Sequence, residues 1–298
     1  MVEMGRLLTA MVTPFTPEGA VDYKQAQQLA LALLRSGSDG VVLSGTTGEV
    51  PTLSNEEKIR LYAEVKKAVG DAGAVVAGTG NYNTAESEEL SREAEKAGVD
   101  GLLLTVPYYS KPTQEGIFRH FERLAKATSL PCVLYNIPGR AGVNMAAETT
   151  VRLSRIPNIV GVKEASGDLE QIARIIDQAR EGFRVWSGND QETLPILSVG
   201  GYGVICVVSH LVGLQMRDLI EKFLAGETAA AAQIHRRLLP LMVTLMTAAS
   251  NPIPIKYALN QVGFPVGGMR LPLCEPAEAA AGRIVEEVRR HRLDLPIP

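Results

Sequence analysis

The chain is poor in the residues that staple or metallate small folds. Three cysteines stand among 298 residues, at Cys132, Cys206 and Cys274. Their odd number and wide spacing exclude a disulfide framework and any CxxC-type zinc site. Cys132 and Cys206 sit inside apolar runs, as inert core thiols do. Four histidines are present; three fall on expected helices and only His210 follows a strand, as a capping or loop side chain. No metal ligand set emerges, and no metal or other cofactor is expected. No apolar run reaches the eighteen or so residues of a membrane span. The first residues, Met1 to Thr9, carry too little charge and apolar length for a secretory signal, so a cytoplasmic location is expected. Charge of one sign is missing too. Thirty basic and thirty-three acidic side chains give a net charge of −3, which offers no footprint for nucleic acid or an anionic membrane. No GxGxxG follows the first strand, which speaks against dinucleotide binding.

What is present is an abundant apolar core, 46% of residues with a mean hydropathy of +0.06, cut into short runs. Leu7 to Val12, Gly40 to Ser44, Ala74 to Ala77, Gly101 to Val106, Cys132 to Tyr135, Ile159 to Glu164, Phe183 to Ser187 and Gly203 to Val208 read as strands. Each is followed by a helical stretch: Asp22 caps one from about Tyr23, Ser54 and Glu57 form a capping box for the next, and Asp168 caps another. The last of them, from Leu214 to Ala225, follows the eighth strand. The strands are continuously apolar rather than alternating, so both faces are covered, as in a parallel sheet. Eight unbroken strand–helix units predict an α/β fold, a closed (β/α)8 TIM barrel over residues 1–225. Residues 226–298 add a C-terminal helical region with no linker before it. Its helices are expected at Glu227 to Ser250, Ile255 to Val262 and Pro276 to Arg290, separated by Asn251-Pro252-Ile253-Pro254 and Arg270-Leu271-Pro272.

One strand ends in a charge. In Ile159-Val160-Gly161-Val162-Lys163-Glu164 a lysine sits where a buried strand meets the barrel mouth. Burial disfavours an ammonium, lowers its pKa and leaves a neutral amine able to form a Schiff base. The alternative is a lysine that reaches back to water or pairs with Glu164. Barrel enzymes place their working groups after the strands' carboxyl ends. In this chain those ends offer Thr46 and Thr47, Tyr108 and Tyr109, Tyr135, Arg140, Lys163, Gly188 and Ile205. Gly45-Thr46-Thr47-Gly48-Glu49 can hold a carboxylate through backbone N–H groups and hydroxyls, or is an ordinary turn. The tyrosines can carry protons in a dry site or simply pack. Arg140 suits a bidentate grip on a carboxylate or a surface ion pair.

The runs GTTGE at 45–49, YNIPGR at 135–140 and GVKEASGD at 161–168, with NPIPIKYALNQVG at 251–263 and RLPL at 270–273, resemble the pyruvate-dependent class I aldolase family that includes N-acetylneuraminate lyase. The resemblance spans nearly the whole chain. It implies Lys163 as the Schiff-base amine for pyruvate and Thr46 and Thr47 as holders of the pyruvate carboxylate. It implies Tyr135 as general acid/base, linked through Thr47 to Tyr109 of a neighbouring subunit. Arg140 would receive the carboxylate of aspartate-4-semialdehyde, and Ile205 and Gly188 would line the pocket. The implied reaction condenses the two substrates at the first committed step of diaminopimelate and lysine biosynthesis, in a homotetramer of two tight dimers. The sibling alternative is a pyruvate-forming lyase acting on a sugar-derived 2-keto acid, which has less need of Arg140.

Regulated members bind lysine at the dimer interface. The matching positions are Val50, Pro51, Asn55, Lys58, Tyr82, Glu86 and Tyr108, and Lys58 sets a cation where the effector's own ammonium would lie. Like charges repel there, so lysine is expected to inhibit weakly or not at all. Steady-state assays across a lysine titration check this; strong inhibition below about 1 mM, an ordinary small-ligand affinity, overturns it.

Overall fold

The computed structural model describes residues 3–296. Eight strands, β1 (Leu7–Ala10), β2 (Gly40–Leu43), β3 (Ala74–Gly78), β4 (Gly101–Thr105), β5 (Cys132–Asn136), β6 (Ile159–Glu164), β7 (Arg184–Ser187) and β8 (Gly203–Cys206), pair in sequence order and close into a barrel. Every pairing is parallel, and β1 meets β8 to complete the ring. Around it run α1 (Tyr23–Arg35), α2 (Asn55–Val69), α3 (Thr84–Lys96), α4 (Gln114–Lys126), α5 (Pro138–Ala141), α6 (Ala147–Leu153), α7 (Leu169–Gln178), α8 (Thr193–Ser198) and α9 (Ser209–Leu224). Three more, α10 (Thr228–Thr247), α11 (Ile253–Gln261) and α12 (Glu278–Arg289), follow the barrel. Among the described residues no helix is long and apolar enough to cross a membrane.

The period-two alternation of the strands divides two cores. Leu8, Val42, Val76, Leu103, Val133, Tyr135, Trp186 and Ile205 point inward and fill the barrel, while their neighbours in sequence pack under the helices. Gly161 is required on the inner face. A Cβ there would stand 2.5 Å from the Trp186 ring and 2.3 Å from the Arg184 carbonyl oxygen, so its absence lets the indole cross the barrel and donate to the Gly5 carbonyl at 3.0 Å.

The caps read from the sequence are in place. Asp22 accepts from the Gln25 N–H, Asp168 from the Gln171 N–H, and Ser54 and Glu57 form the reciprocal box. Some boundaries differ. α9 begins at Ser209 rather than Leu214 and kinks at Val212, whose φ and ψ are −131° and 43°. The cause is close approach: a Cβ on Gly213 would lie 2.3 Å from the Ser36 carbonyl oxygen, so the helix bends where its backbone touches the end of α1. The second half of the Asn251-Pro252-Ile253-Pro254 separator already opens α11, because proline is tolerated in a first helical turn.

The C-terminal helices share the outer core through Leu238, Leu241, Ile255, Leu259 and Ile284. They are also tied to the loop after β2 by a buried ion pair. Lys256 Nζ, fully enclosed, donates to Glu49 Oε1 at 2.7 Å, the Thr13 carbonyl at 2.9 Å and the Gly268 carbonyl at 2.6 Å. Burial lowers the pKa of Lys256 and the Glu49 carboxylate opposes that fall. Glu49 Oε2 in turn accepts from the Arg270 N–H at 3.0 Å. Removing one partner leaves an unpaired buried charge, so Lys256→Met is expected to cost about 3–5 kcal/mol of stability. Denaturant unfolding measures it, and the double variant with Glu49→Leu is expected to lose less than the single changes summed.

Candidate active site

Lys163 and its neighbours follow from strand parity. In the parallel register Tyr135 of β5 and Trp186 of β7 flank Lys163 of β6, and all three point inward. Lys163 is 6% exposed, and its Nζ lies 4.3 Å from the centroid of the Tyr135 ring. Burial brings its pKa down to about 8, against the pull of the Asp190 carboxylate and with a small push from Arg140. Glu164 points the opposite way, into the layer under the helices, where it accepts from Asn136 Nδ2 at 2.5 Å and from the Ser166 hydroxyl. Burial raises its carboxyl to about 7. The Lys163–Glu164 pair considered above therefore does not form, since adjacent strand residues face opposite sides.

Tyr135 is buried, and burial pushes its phenol up to about 12 although Arg140 and a hydrogen bond with the Thr46 side chain pull it down. Of the two threonines of the loop, Thr46 is the one whose side chain acts on the phenol. Thr47, 3% exposed, instead accepts from Asn251 Nδ2 at 3.0 Å. The loop is a tight turn held by Gly48 N–H to the Gly45 carbonyl at 3.0 Å and Glu49 N–H to the Thr46 carbonyl at 3.2 Å. Its left-handed residues are Ser44 and Glu49, with φ of 46° and 56°, rather than the glycines. Strain of this sort persists only where neighbours impose it, here the Ser44–Tyr62 and Glu49–Lys256 contacts.

Above the loop a cavity of 260 Å³ is lined by Thr46, Tyr108, Ile137, Arg140 and Asn251 among others. Arg140 is exposed, and its Nη2 donates to the Asn251 carbonyl at 3.3 Å. Ile205 is buried within the barrel beneath the mouth. Gly188 donates its N–H to the Glu164 carbonyl at 2.6 Å, and a Cβ there would stand 2.7 Å from that of Ala165. Tyr109 is not brought to the others within this chain. It is 91% exposed, on a backbone with φ of 71°.

Two residues escaped sequence reasoning. Asp190, buried after β7, accepts from the Val207 N–H at 3.0 Å and the Val208 N–H at 2.6 Å. Burial raises its pKa, and those backbone donors and Lys163 oppose the rise. An acid just past a strand end was the available signal. Asn251 is the other, invisible because its partners lie 204 and 111 positions away in sequence. The seven positions matched to an effector site, Val50, Pro51, Asn55, Lys58, Tyr82, Glu86 and Tyr108, line one cavity of 340 Å³. There Lys58 Nζ donates to Asn55 Oδ1 at 3.3 Å, and Asn55 Nδ2 to Glu86 Oε1 at 3.3 Å. No group of three or more potential metal ligands occurs among the described residues.

Residues 3–290 match the model of the dihydrodipicolinate synthetase family. The 4-hydroxy-tetrahydrodipicolinate synthase of Dehalococcoides mccartyi (strain CBDB1) is 59% identical over 297 residues, all of both chains. The dihydrodipicolinate synthase of Cyanidioschyzon merolae, solved with lysine bound, superposes with a TM-score of 0.95 at 45% identity, covering 97% of this chain and 99% of its own. The chloride-inhibited enzyme of Acinetobacter baumannii, complexed with pyruvate, gives a TM-score of 0.93 at 35% identity over 97% and 99%. A closed barrel with a desolvated lysine at its mouth, matched along its whole length to relatives of one activity, belongs to the dihydrodipicolinate synthetase family.

Proposed function

We propose that Lys163 is the amine through which this chain carries out its reaction. The activity is that of a 4-hydroxy-tetrahydrodipicolinate synthase, a lyase that condenses pyruvate with aspartate-4-semialdehyde at the first step of diaminopimelate and lysine biosynthesis. The observation that carries the assignment is the burial of Lys163 beside Tyr135, with its pKa near 8. Neutral Nζ attacks the keto carbon of pyruvate, and loss of water leaves a protonated imine. That imine draws electrons from the methyl carbon, which gives up a proton to become an enamine. The enamine carbon bonds to the aldehyde carbon of the second substrate, whose oxygen takes a proton. The substrate's amine then attacks the imine carbon, closes the ring and releases Lys163.

Tyr135, protonated well above neutral pH, supplies and recovers protons, with Thr46 as its hydrogen-bonded partner. Thr47 and the backbone N–H groups of its loop take the pyruvate carboxylate, and Arg140 at the rim takes that of the semialdehyde. Ile205 and Gly188 shape the floor and wall. We place Tyr109 in the mouth of a neighbouring subunit, in a homotetramer of two tight dimers. An aromatic ring held 91% exposed on a left-handed backbone has burial to gain from such a contact. Residues 1–225 form the catalytic barrel and 226–298 a helical region that completes its face. A reducing, cytoplasmic setting suits three free cysteines, one of them the exposed Cys274. Lysine inhibition stays weak because the Lys58 ammonium occupies the cavity opposite Glu86.

Borohydride reduction with pyruvate is expected to add covalent mass to the peptide carrying Lys163 and to leave Lys163→Ala unmodified. Lys163→Ala is expected to lose activity by about a thousandfold or more. Arg140→Ala should still trap pyruvate, yet lose about a hundredfold in kcat/KM for the semialdehyde, as an unpaired substrate carboxylate implies. Label on another residue sinks the assignment. The pH dependence has a definite sign: the nucleophile exists above the pKa of Lys163, so the rate of imine formation should rise about tenfold per pH unit below about 8 and level off above it. Rapid mixing with pyruvate across pH measures that limb.

A further inference from the structure

Asn251 sits at the joint between the helical region and the loop after β2, two residues before α11, and is 6% exposed. Its side-chain Nδ2 donates to Thr47 Oγ1, and its backbone carbonyl accepts from Arg140. Its own Oδ1 is buried with no hydrogen-bond partner among the described residues. A buried amide oxygen left unpaired is a cost to stability, so the side chain is poorly explained as a fold stabiliser. Its one side-chain bond goes to a residue of the carboxylate-binding loop.

A threonine hydroxyl has one proton to give and lone pairs to receive. Asn251 fills a lone pair of Thr47 with a proton of its own, which leaves the Thr47 O–H free to donate elsewhere. A carboxylate accepts hydrogen bonds and gives none. We propose that Asn251 is a positioning residue that fixes the Thr47 hydroxyl as a donor towards the pyruvate carboxylate. This rests on the reading of Thr47 as a pyruvate holder and extends it to the helical region. The hydrogen bond from Arg140 goes to the Asn251 backbone carbonyl, so side-chain changes leave that acceptor in place.

The test is steady-state kinetics of the full-length enzyme with both substrates varied, for Asn251→Ala, Asn251→Asp, Thr47→Val and the double Thr47→Val/Asn251→Ala. Asn251→Ala is expected to lower kcat/KM for pyruvate about tenfold, the scale of one charge-assisted hydrogen bond misdirected, with kcat/KM for the semialdehyde within about twofold. The isosteric Asn251→Asp keeps the shape but can only accept from Thr47 once ionised, and should lose about a hundredfold towards pyruvate. In the Thr47→Val background, with no hydroxyl to direct, Asn251→Ala should cost less than about twofold more. A purely structural role predicts that Asp does better than Ala and that the losses add. Asn251→Asp at wild-type kcat/KM for pyruvate, or a full Asn251→Ala loss persisting without the Thr47 hydroxyl, overturns the inference. If Thr47→Val itself leaves kcat/KM for pyruvate unchanged, the reading of Thr47 as pyruvate holder fails first, whereas a defective Thr47→Val beside a normal Asn251→Asp sinks the inference alone.

Discussion

Removal of water from one lysine is the constraint on which the molecule turns. A closed eight-stranded ring with side chains filling its interior leaves little solvent around Lys163, and the ammonium loses hydration that the protein only partly returns. The Asp190 carboxylate stops the fall in pKa partway, near 8. An amine left in water would be almost wholly protonated at neutral pH, whereas burial leaves a larger share of Lys163 as the free base. The balance between burial and the nearby Asp190 and Cys206 groups thus sets the protonation of Lys163, as the role proposed for it requires.

The barrel delivers this through parity. Lys163, Tyr135 and Trp186 share a level of the inner face because three neighbouring parallel strands hold them in register. A shift of one residue in β6 would exchange Lys163 for Glu164 on the inner face. Gly161, two residues before Lys163, leaves room for the Trp186 indole to cross the barrel interior. The scaffold and the perturbed pKa are one design.

Local signals were legible before the fold was seen, and distant ones were not. Asp22, Ser54 with Glu57 and Asp168 act within three residues of themselves, so the caps could be read directly. Eight apolar runs sufficed for the barrel because its pairing follows sequence order. Family motifs marked Lys163, Tyr135 and Arg140 as candidates, while the influence of the Thr46 side chain on the Tyr135 phenol was not among them. Asp190 and Asn251 escaped notice because their roles depend on backbone and side chains far away in sequence. The kink in α9 was hidden for the same reason, since a distant carbonyl causes it.

The ion pair between Glu49 and Lys256 joins residues 207 positions apart, and Arg270 closes on the same carboxylate from 221 positions away. During synthesis the second strand and its loop leave the ribosome long before those anchors exist. A nascent chain holding all eight strands still lacks the clasp on the loop after β2, which gains its last contacts only with the final few dozen residues. A chain halted before Lys256 therefore leaves the Glu49 carboxylate without its buried cation.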